Sequence, residues 1–283
     1  MNFFNKIFNK FIIAILLCII IIVSFIGSTN VHKYKETYTN RHKNALCLLT
    51  REPNKIWMEF LTTFVDSYDV FIVIDNQEDY TNLAIQYPNI TLVQIPDEVC
   101  HQHGYINSDL VFKPVVATDR AFYYFNRVNT EYENIWFCED DVFIQEKDVL
   151  VDLDKQYPLA DFIVPRVQIN EDGSDDGWPH WRYIDNLLPL PWAHYIICLT
   201  RISKRLMQKV DEFVKEHGRQ IYKEILFHTL AIHNDMEIKT PAELKNITWN
   251  DPLSHELAVQ VQKKEITIFH PIKDLNHHIQ LRG

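Results

Sequence analysis

Glycine is scarce in this chain, with six in 283 residues. No glycine-rich loop of the kind that cradles phosphates on backbone N–H groups can be found in it. Basic charge is also short. Twenty-eight Lys and Arg face 38 Asp and Glu, a formal net charge of −10, and the lack of a basic field to neutralise phosphates argues against a nucleic-acid partner. The five cysteines form no disulfide framework. Cys18 lies in an apolar N-terminal run, Cys47, Cys138 and Cys198 fall inside predicted strands, and Cys100 reads as loop-borne; free, mostly buried thiols are the expectation. Internal repeats and low-complexity segments are missing too. What remains is an ordinary globular composition, 47% hydrophobic and 13% aromatic, long enough for one large α/β domain with a filled core.

One segment departs from that composition. From Phe11 to Gly27 every residue except Ser24 and the closing glycine is apolar, and Lys6 and Lys10 precede it. As a helix this run spans about 25 Å, and Ile7 and Phe8 extend it toward the roughly 30 Å of a hydrocarbon core. Bulky Phe25 and Ile26 stand where a cleavage site needs small residues, which favours an uncleaved signal-anchor. The reading is a short cytoplasmic tail at 1–10, a transmembrane anchor at 11–27, a polar stem at 28–43 and a folded domain at 44–283. Lys33, Lys35, Arg41 and Lys43 outnumber the lysines before the span and oppose a lumenal domain. The sequons Asn89-Ile90-Thr91 and Asn246-Ile247-Thr248 favour one. The expectation is a single-pass type II protein of the Golgi or endoplasmic reticulum, its domain in the lumen.

Within the domain, strands alternate with helices, which implies a mostly parallel sheet covered on both faces. Strands are predicted at Ala45–Leu49, Val70–Ile74, Ile90–Ile95, Phe162–Val167 and His194–Leu199. Helices are predicted from Pro53 to about Val65, near Tyr80–Gln86, from Pro114 to about Asn126, after Ser203 and from about Gln220 to Ile232. Ser203 is placed to cap its helix and Gly218 to end it in the left-handed conformation. The tail closes with a strand and Phe269-His270-Pro271-Ile272-Lys273.

The informative stretch is Ile135-Trp136-Phe137-Cys138-Glu139-Asp140-Asp141. A short apolar run of this kind is a strand buried on both faces, and its three acids fall where open α/β sheets bind ligands, at the carboxyl ends of the strands. Adjacent carboxylates repel and call for a cation or a proton. Mg²⁺ and Mn²⁺ take such oxygen ligands and bridge to substrate phosphates. Thr50-Arg51 and Asp75-Asn76 lie at neighbouring strand ends and are candidate nucleotide contacts, with Lys273 as a fixed positive charge.

With the anchor in front, this arrangement resembles the GT-A class of nucleotide-sugar glycosyltransferases, and Glu139-Asp140-Asp141 is similar to the Glu-Asp-Asp version of their Asp-x-Asp motif. The resemblance implies a three-layer α/β/α sandwich with a mostly parallel sheet, preceded by one transmembrane helix. It implies a Mn²⁺ or Mg²⁺ ion held by Glu139, Asp140, Asp141 and His270, a nucleotide-sugar donor, and a glycan or glycoprotein acceptor. Pro191-Trp192-Ala193-His194-Tyr195-Ile196 and Glu224-Ile225-Leu226-Phe227-His228-Thr229-Leu230 resemble segments of the mucin-type branching N-acetylglucosaminyltransferases. That likeness implies Glu224 as catalytic base, and His228, one helical turn on, shares its face. The chain departs from those metal-independent enzymes in having the acidic triplet. Trp178, Trp181 and Trp192 suit acceptor sugars, because aromatic faces bury apolar sugar faces. Two other readings share the sheet: a nucleotidyl- or phosphosugar-transferase, and a non-catalytic sugar-binding protein.

Overall fold

The strand expected at Ala45–Leu49 forms as β1 (Asn44–Thr50), and its side chains show why the sheet has two covers. Ala45, Cys47 and Leu49 enter one hydrophobic cluster; Leu46 and Leu48 enter another. Phe71 and Val73 alternate in the same way with Val70, Ile72 and Ile74, and Phe137 with Trp136 and Cys138. Because successive strand side chains point to opposite faces, a run with no polar position needs apolar layers on both sides.

The computed structural model describes residues 42–102, 121–125, 127, 131–184, 186–249 and 253–282. The expected anchor at 11–27, nearly all of the stem and the first part of the helix expected from Pro114 lie outside these residues; 121–125 are helical. Among the described residues no helix is long and apolar enough to cross a membrane.

In chain order the first half holds β1, α1 (Lys55–Thr62), β2 (Asp69–Ile74), α2 (Thr81–Gln86), β3 (Ile90–Gln94), α3 (Asp97–Gln102) and β4 (Asn134–Glu139). Then come β5 (Phe143–Ile144), α4 (Asp148–Gln156), β6 (Phe162–Ile163), β7 (Gln168–Asn170), β8 (Trp192–His194) and β9 (Leu199–Ser203). The chain ends with α5 (Lys204–His217), α6 (Lys223–His233), β10 (Ile238–Lys239), α7 (His255–Gln262), β11 (Ile268–Phe269) and α8 (Leu275–Arg282). The main sheet has the order β10-β6-β9-β4-β1-β2-β3. All its pairings are parallel except the two made by β9. Helices α5 and α6 supply Leu206, Met207, Val210, Ile225 and Leu226 to one cluster, and α1 and α4 supply Trp57, Met58, Leu150 and Leu153 to the other.

Local signals explain the helix ends. Ser203 accepts a hydrogen bond from Leu206 N, and Gly218 closes α5 at φ 69°, as a cap and a left-handed terminus require. Four expectations are corrected. Cys100 is buried within α3 rather than loop-borne. The strand predicted at His194–Leu199 is two strands, β8 and β9, with Tyr195–Cys198 between them; the run is apolar throughout, and apolarity alone does not mark a break. The strand predicted at Phe162–Val167 shortens to β6. Helices α3, α4, α7 and α8 were not anticipated, their short, acid- or histidine-interrupted patterns giving weak periodicity.

Candidate active site

Three carboxylates stand at the end of β4, the middle strand of the seven-stranded sheet, and each meets a different partner. The Glu139 carboxylate accepts from Lys223 Nζ at 2.5 Å. Asp140 Oδ2 accepts from Thr50 Oγ1 at 2.5 Å, and its backbone carbonyl accepts from the Trp57 indole at 3.2 Å. Asp141 Oδ1 lies 3.1 Å from His270 Nε2. The far ends of the same side chains are fixed as well. His270 Nδ1 donates to the Thr248 carbonyl at 2.6 Å, and Ile272 N donates to the Asp141 carbonyl at 2.7 Å. With the Nδ1 proton committed to a carbonyl, Nε2 is the nitrogen turned to the carboxylates, the arrangement by which a second shell orients a metal-binding imidazole.

The electrostatics follow the packing. Burial pushes the Asp140 carboxyl up to about 6, against the Thr50 hydrogen bond, and the Asp141 and Glu139 charges add to the rise. Burial would also raise Asp141, but the hydrogen bond and charge of His270 outweigh it and hold Asp141 below the usual carboxylate range, with Lys273 adding to the effect. For His270 burial disfavours the charged ring, and the Asp141 contact overcomes it, so its pKa is raised. Beside these groups lies a cleft of about 480 Å³ lined by Glu52, Pro53, Asn54, Asp140, Asp141, Lys273 and Leu275. Asn54 also caps α1 through its side chain.

The remaining expected residues fall around this centre. Arg51 is exposed at the end of β1, and its carbonyl accepts from the Asn76 amide, which also bonds the Tyr80 hydroxyl at 2.7 Å. Asp75 N donates to the Thr50 carbonyl at 3.1 Å, so the ends of β1 and β2 are tied together at one rim. Trp178, Trp181 and Trp192 are brought into one aromatic cluster. Trp178 stacks on His194 with centroids 3.7 Å apart, meets Trp181 at 4.8 Å and Tyr222 at 6.1 Å, and Trp181 lies 5.8 Å from Trp192. All three are half-buried against the core. Tyr222 immediately precedes Lys223, so the cluster adjoins the acidic centre along the chain.

Both candidate catalytic residues of α6 are buried. Glu224 is 5% exposed in the first turn of α6. Burial raises the pKa of the Cys198 thiol, with the charges of Glu139, Asp141 and Glu224 adding to the rise and that of Lys223 opposing it. His228 does not meet the Glu224 carboxylate. Fully buried, it has Nδ1 at 2.7 Å from the Glu224 backbone carbonyl and Nε2 at 3.2 Å from the Arg166 carbonyl. Burial lowers its pKa to about 4, against the two backbone hydrogen bonds.

Lys223 and Cys198 were missed in the sequence. Helix α6 is apolar nearly all round, which marks a buried helix, and a lysine in its first turn must then have a partner. That signal was present and pointed to Lys223. For Cys198 there was none. Its place comes from the antiparallel β4–β9 pairing, which sets Cys138 opposite Leu199, and from Glu139 N donating to the Cys198 carbonyl at 2.8 Å. Ligand atoms of Glu139, Cys198 and His270 all lie within 4.8 Å of one another.

No protein-family model matches the sequence, and no curated protein matches it either. Solved structures do resemble it. The bifunctional glycosyltransferase WbbM, in its apo structure, aligns with 88% of this chain at 13% identity and a TM-score of 0.48. The chain spans half the length of that protein. An active-site mutant of LgtC aligns with 84% of this chain and 95% of its own, at 9% identity and a TM-score of 0.48. Mouse xyloside xylosyltransferase 1 aligns with 80% of this chain and 97% of its own, at 8% identity and a TM-score of 0.41. The mostly parallel sheet, covered by apolar layers on both faces, is the layered α/β architecture expected from the sequence.

Proposed function

We propose that this chain is a membrane-anchored glycosyltransferase. It moves a sugar from a nucleotide diphosphate donor, a UDP-sugar in the first instance, to a hydroxyl of a glycan or glycoprotein, with inversion and with a divalent ion. The single observation that carries the proposal is the cleft in which Asp140, Asp141 and Lys273 face one another at the carboxyl end of the central strand.

The donor set fits a divalent cation, since His270 presents Nε2 beside Asp141 while its other nitrogen is held by Thr248. Such an ion supplies Lewis-acid stabilisation to the departing diphosphate. The protein's own groups do the rest. Lys273 adds positive charge where negative charge develops on the leaving group. Thr50 holds Asp140 in place, and Lys223 neutralises Glu139, which keeps three adjacent carboxylates from expelling a negatively charged donor. Thr50, Arg51, Asp75 and Asn76 form the rim proposed for the nucleoside. Glu224 is the proposed base, taking the acceptor hydroxyl proton during a single displacement. The tryptophan cluster is the proposed acceptor platform.

The test is a panel of UDP- and GDP-sugars offered to the full-length chain with and without Mn²⁺, beside Asp141→Ala. Metal-dependent turnover of one donor, lost in the variant, establishes the class and names the sugar. A folded chain that turns over no donor overturns the proposal in favour of a non-catalytic sugar-binding relative. A product that keeps the donor's anomeric configuration removes Glu224 from its role.

A further inference from the structure

We infer that the ion position beside the acid-tipped strand has a sulfur ligand. Cys198, with Glu139 and His270, forms a site for a borderline-soft divalent ion of the zinc class in preference to Mg²⁺. The inference rests on the metal-assisted reading of the same centre and adds the identity of the ion.

Three observations carry it. First, one ligand atom from each of the three side chains falls within 4.8 Å of the others. Ligands 2.0–2.3 Å from a tetrahedral ion lie roughly 3.5 Å apart, so a closure of about an ångström completes the set. Second, each ligand is held from behind. The Cys198 carbonyl accepts from Glu139 N at 2.8 Å, which locks the two residues across β4 and the approach to β9. The Thr248 carbonyl fixes the His270 ring at 2.6 Å, and His270 N donates to the Asn246 carbonyl at 3.2 Å. Third, the chemistry of the donors is selective. A thiolate, an imidazole and one carboxylate suit Zn²⁺ or Co²⁺, whereas Mg²⁺ demands oxygen ligands and retains its waters. The buried thiol would give up its proton to solvent as the ion binds, as metal thiolates require. Asp141, beside His270 Nε2, faces the cleft and leaves an open side toward the donor.

The experiment is a Co²⁺ titration of the metal-stripped full-length protein, followed by absorption spectroscopy. The inference expects d–d bands together with a near-ultraviolet thiolate-to-cobalt charge-transfer band. Both should be abolished by stoichiometric Zn²⁺ and unaffected by a large excess of Mg²⁺. The charge-transfer band should vanish in Cys198→Ser and in Cys198→Ala, each shown folded by circular dichroism, and persist in Cys47→Ser. Bands without charge transfer, or charge transfer that survives loss of Cys198, overturn the sulfur ligand and leave the metal reading standing. Absence of any cobalt band overturns both. Donor turnover in EDTA, measured on the same sample, then decides separately whether glycosyl transfer survives without an ion.

Discussion

Toward the amino ends of the parallel strands the Asp154 carboxylate is surrounded by donors, whereas at the carboxyl ends Glu139, Asp140 and Asp141 are crowded together with few. Asp154 accepts from Arg201 at 2.8 Å, Tyr68 at 2.7 Å, Trp136 at 3.1 Å and Asn44 at 3.4 Å. Arg201 in turn donates to the Tyr157 and Ala160 carbonyls at 2.6 and 2.9 Å. A charge so fully compensated is fixed, and what it supplies is a unique packing of α4 against the sheet. The acidic end is different. Three carboxylates share Lys223, Thr50 and His270, and burial lifts the Asp140 pKa to about 6. Incomplete compensation in a cleft is the mark of a site awaiting a cation or a charged ligand.

The comparison can be broken in five ways, from the largest expected effect to the smallest. Asp154→Ala leaves the Arg201 guanidinium buried without its carboxylate and should cost about 3–5 kcal/mol of unfolding free energy. Turnover per folded molecule should not change; denaturant titration with an activity assay checks both. Asp141→Asn should do the reverse. Donor turnover falls more than about 100-fold, while the denaturation midpoint shifts by an amount worth less than about 1 kcal/mol. Lys223→Met removes the positive charge on Glu139 and should tighten divalent-ion binding about tenfold, worth about 1.4 kcal/mol, as calorimetric titration would show.

The fourth concerns pH. Asp140 and His270 both have folded pKa values above their unfolded ones. Stability from Asp140 is therefore present below the unfolded carboxyl value and lost as pH rises through about 6; that from His270 is present below about 6.5 and lost as pH rises through its raised value. Asp141, with a depressed pKa, contributes above the unfolded carboxyl value and loses that contribution only in acid. Metal-free protein should thus melt at progressively lower temperature from about pH 5 to about pH 8, and a bound ion should flatten the trend. A flat metal-free profile would mean that the acidic end is as well compensated as the Asp154 end. The smallest effect is expected for Trp181→Ala, which should weaken acceptor binding by about 0.5–1.5 kcal/mol, read as a raised acceptor KM with kcat little changed.

Much of this was legible residue by residue. The unbroken apolar runs at Leu46–Leu49, Val70–Ile74 and Ile135–Cys138 announced strands buried on both faces, because no polar side chain could have faced water. Ser203 and Gly218 marked both ends of α5. The acid tip at Glu139-Asp140-Asp141 and its neighbours Thr50 and Lys273 were visible as strand-end and loop positions that the sheet would gather. His228 was misread because helical spacing places it below Glu224 without revealing that its ring meets a backbone carbonyl instead of the carboxylate. Tyr195–Cys198 was misread as strand because an apolar run does not show where pairing stops.

What the sequence alone determined is the sheet, its two buried faces and the carboxylate-rich end of its central strand, since these follow from side-chain period and local chemistry. Only the tertiary structure decided which charges are compensated. Lys223 reaches Glu139 across 84 residues of chain, Arg201 reaches Asp154 across 47, and Cys198 comes beside Glu139 through strand pairing. Compensation of a charge depends on distances of a few ångströms between side chains, and in a fold built on non-local pairing those distances are set by how the layers pack.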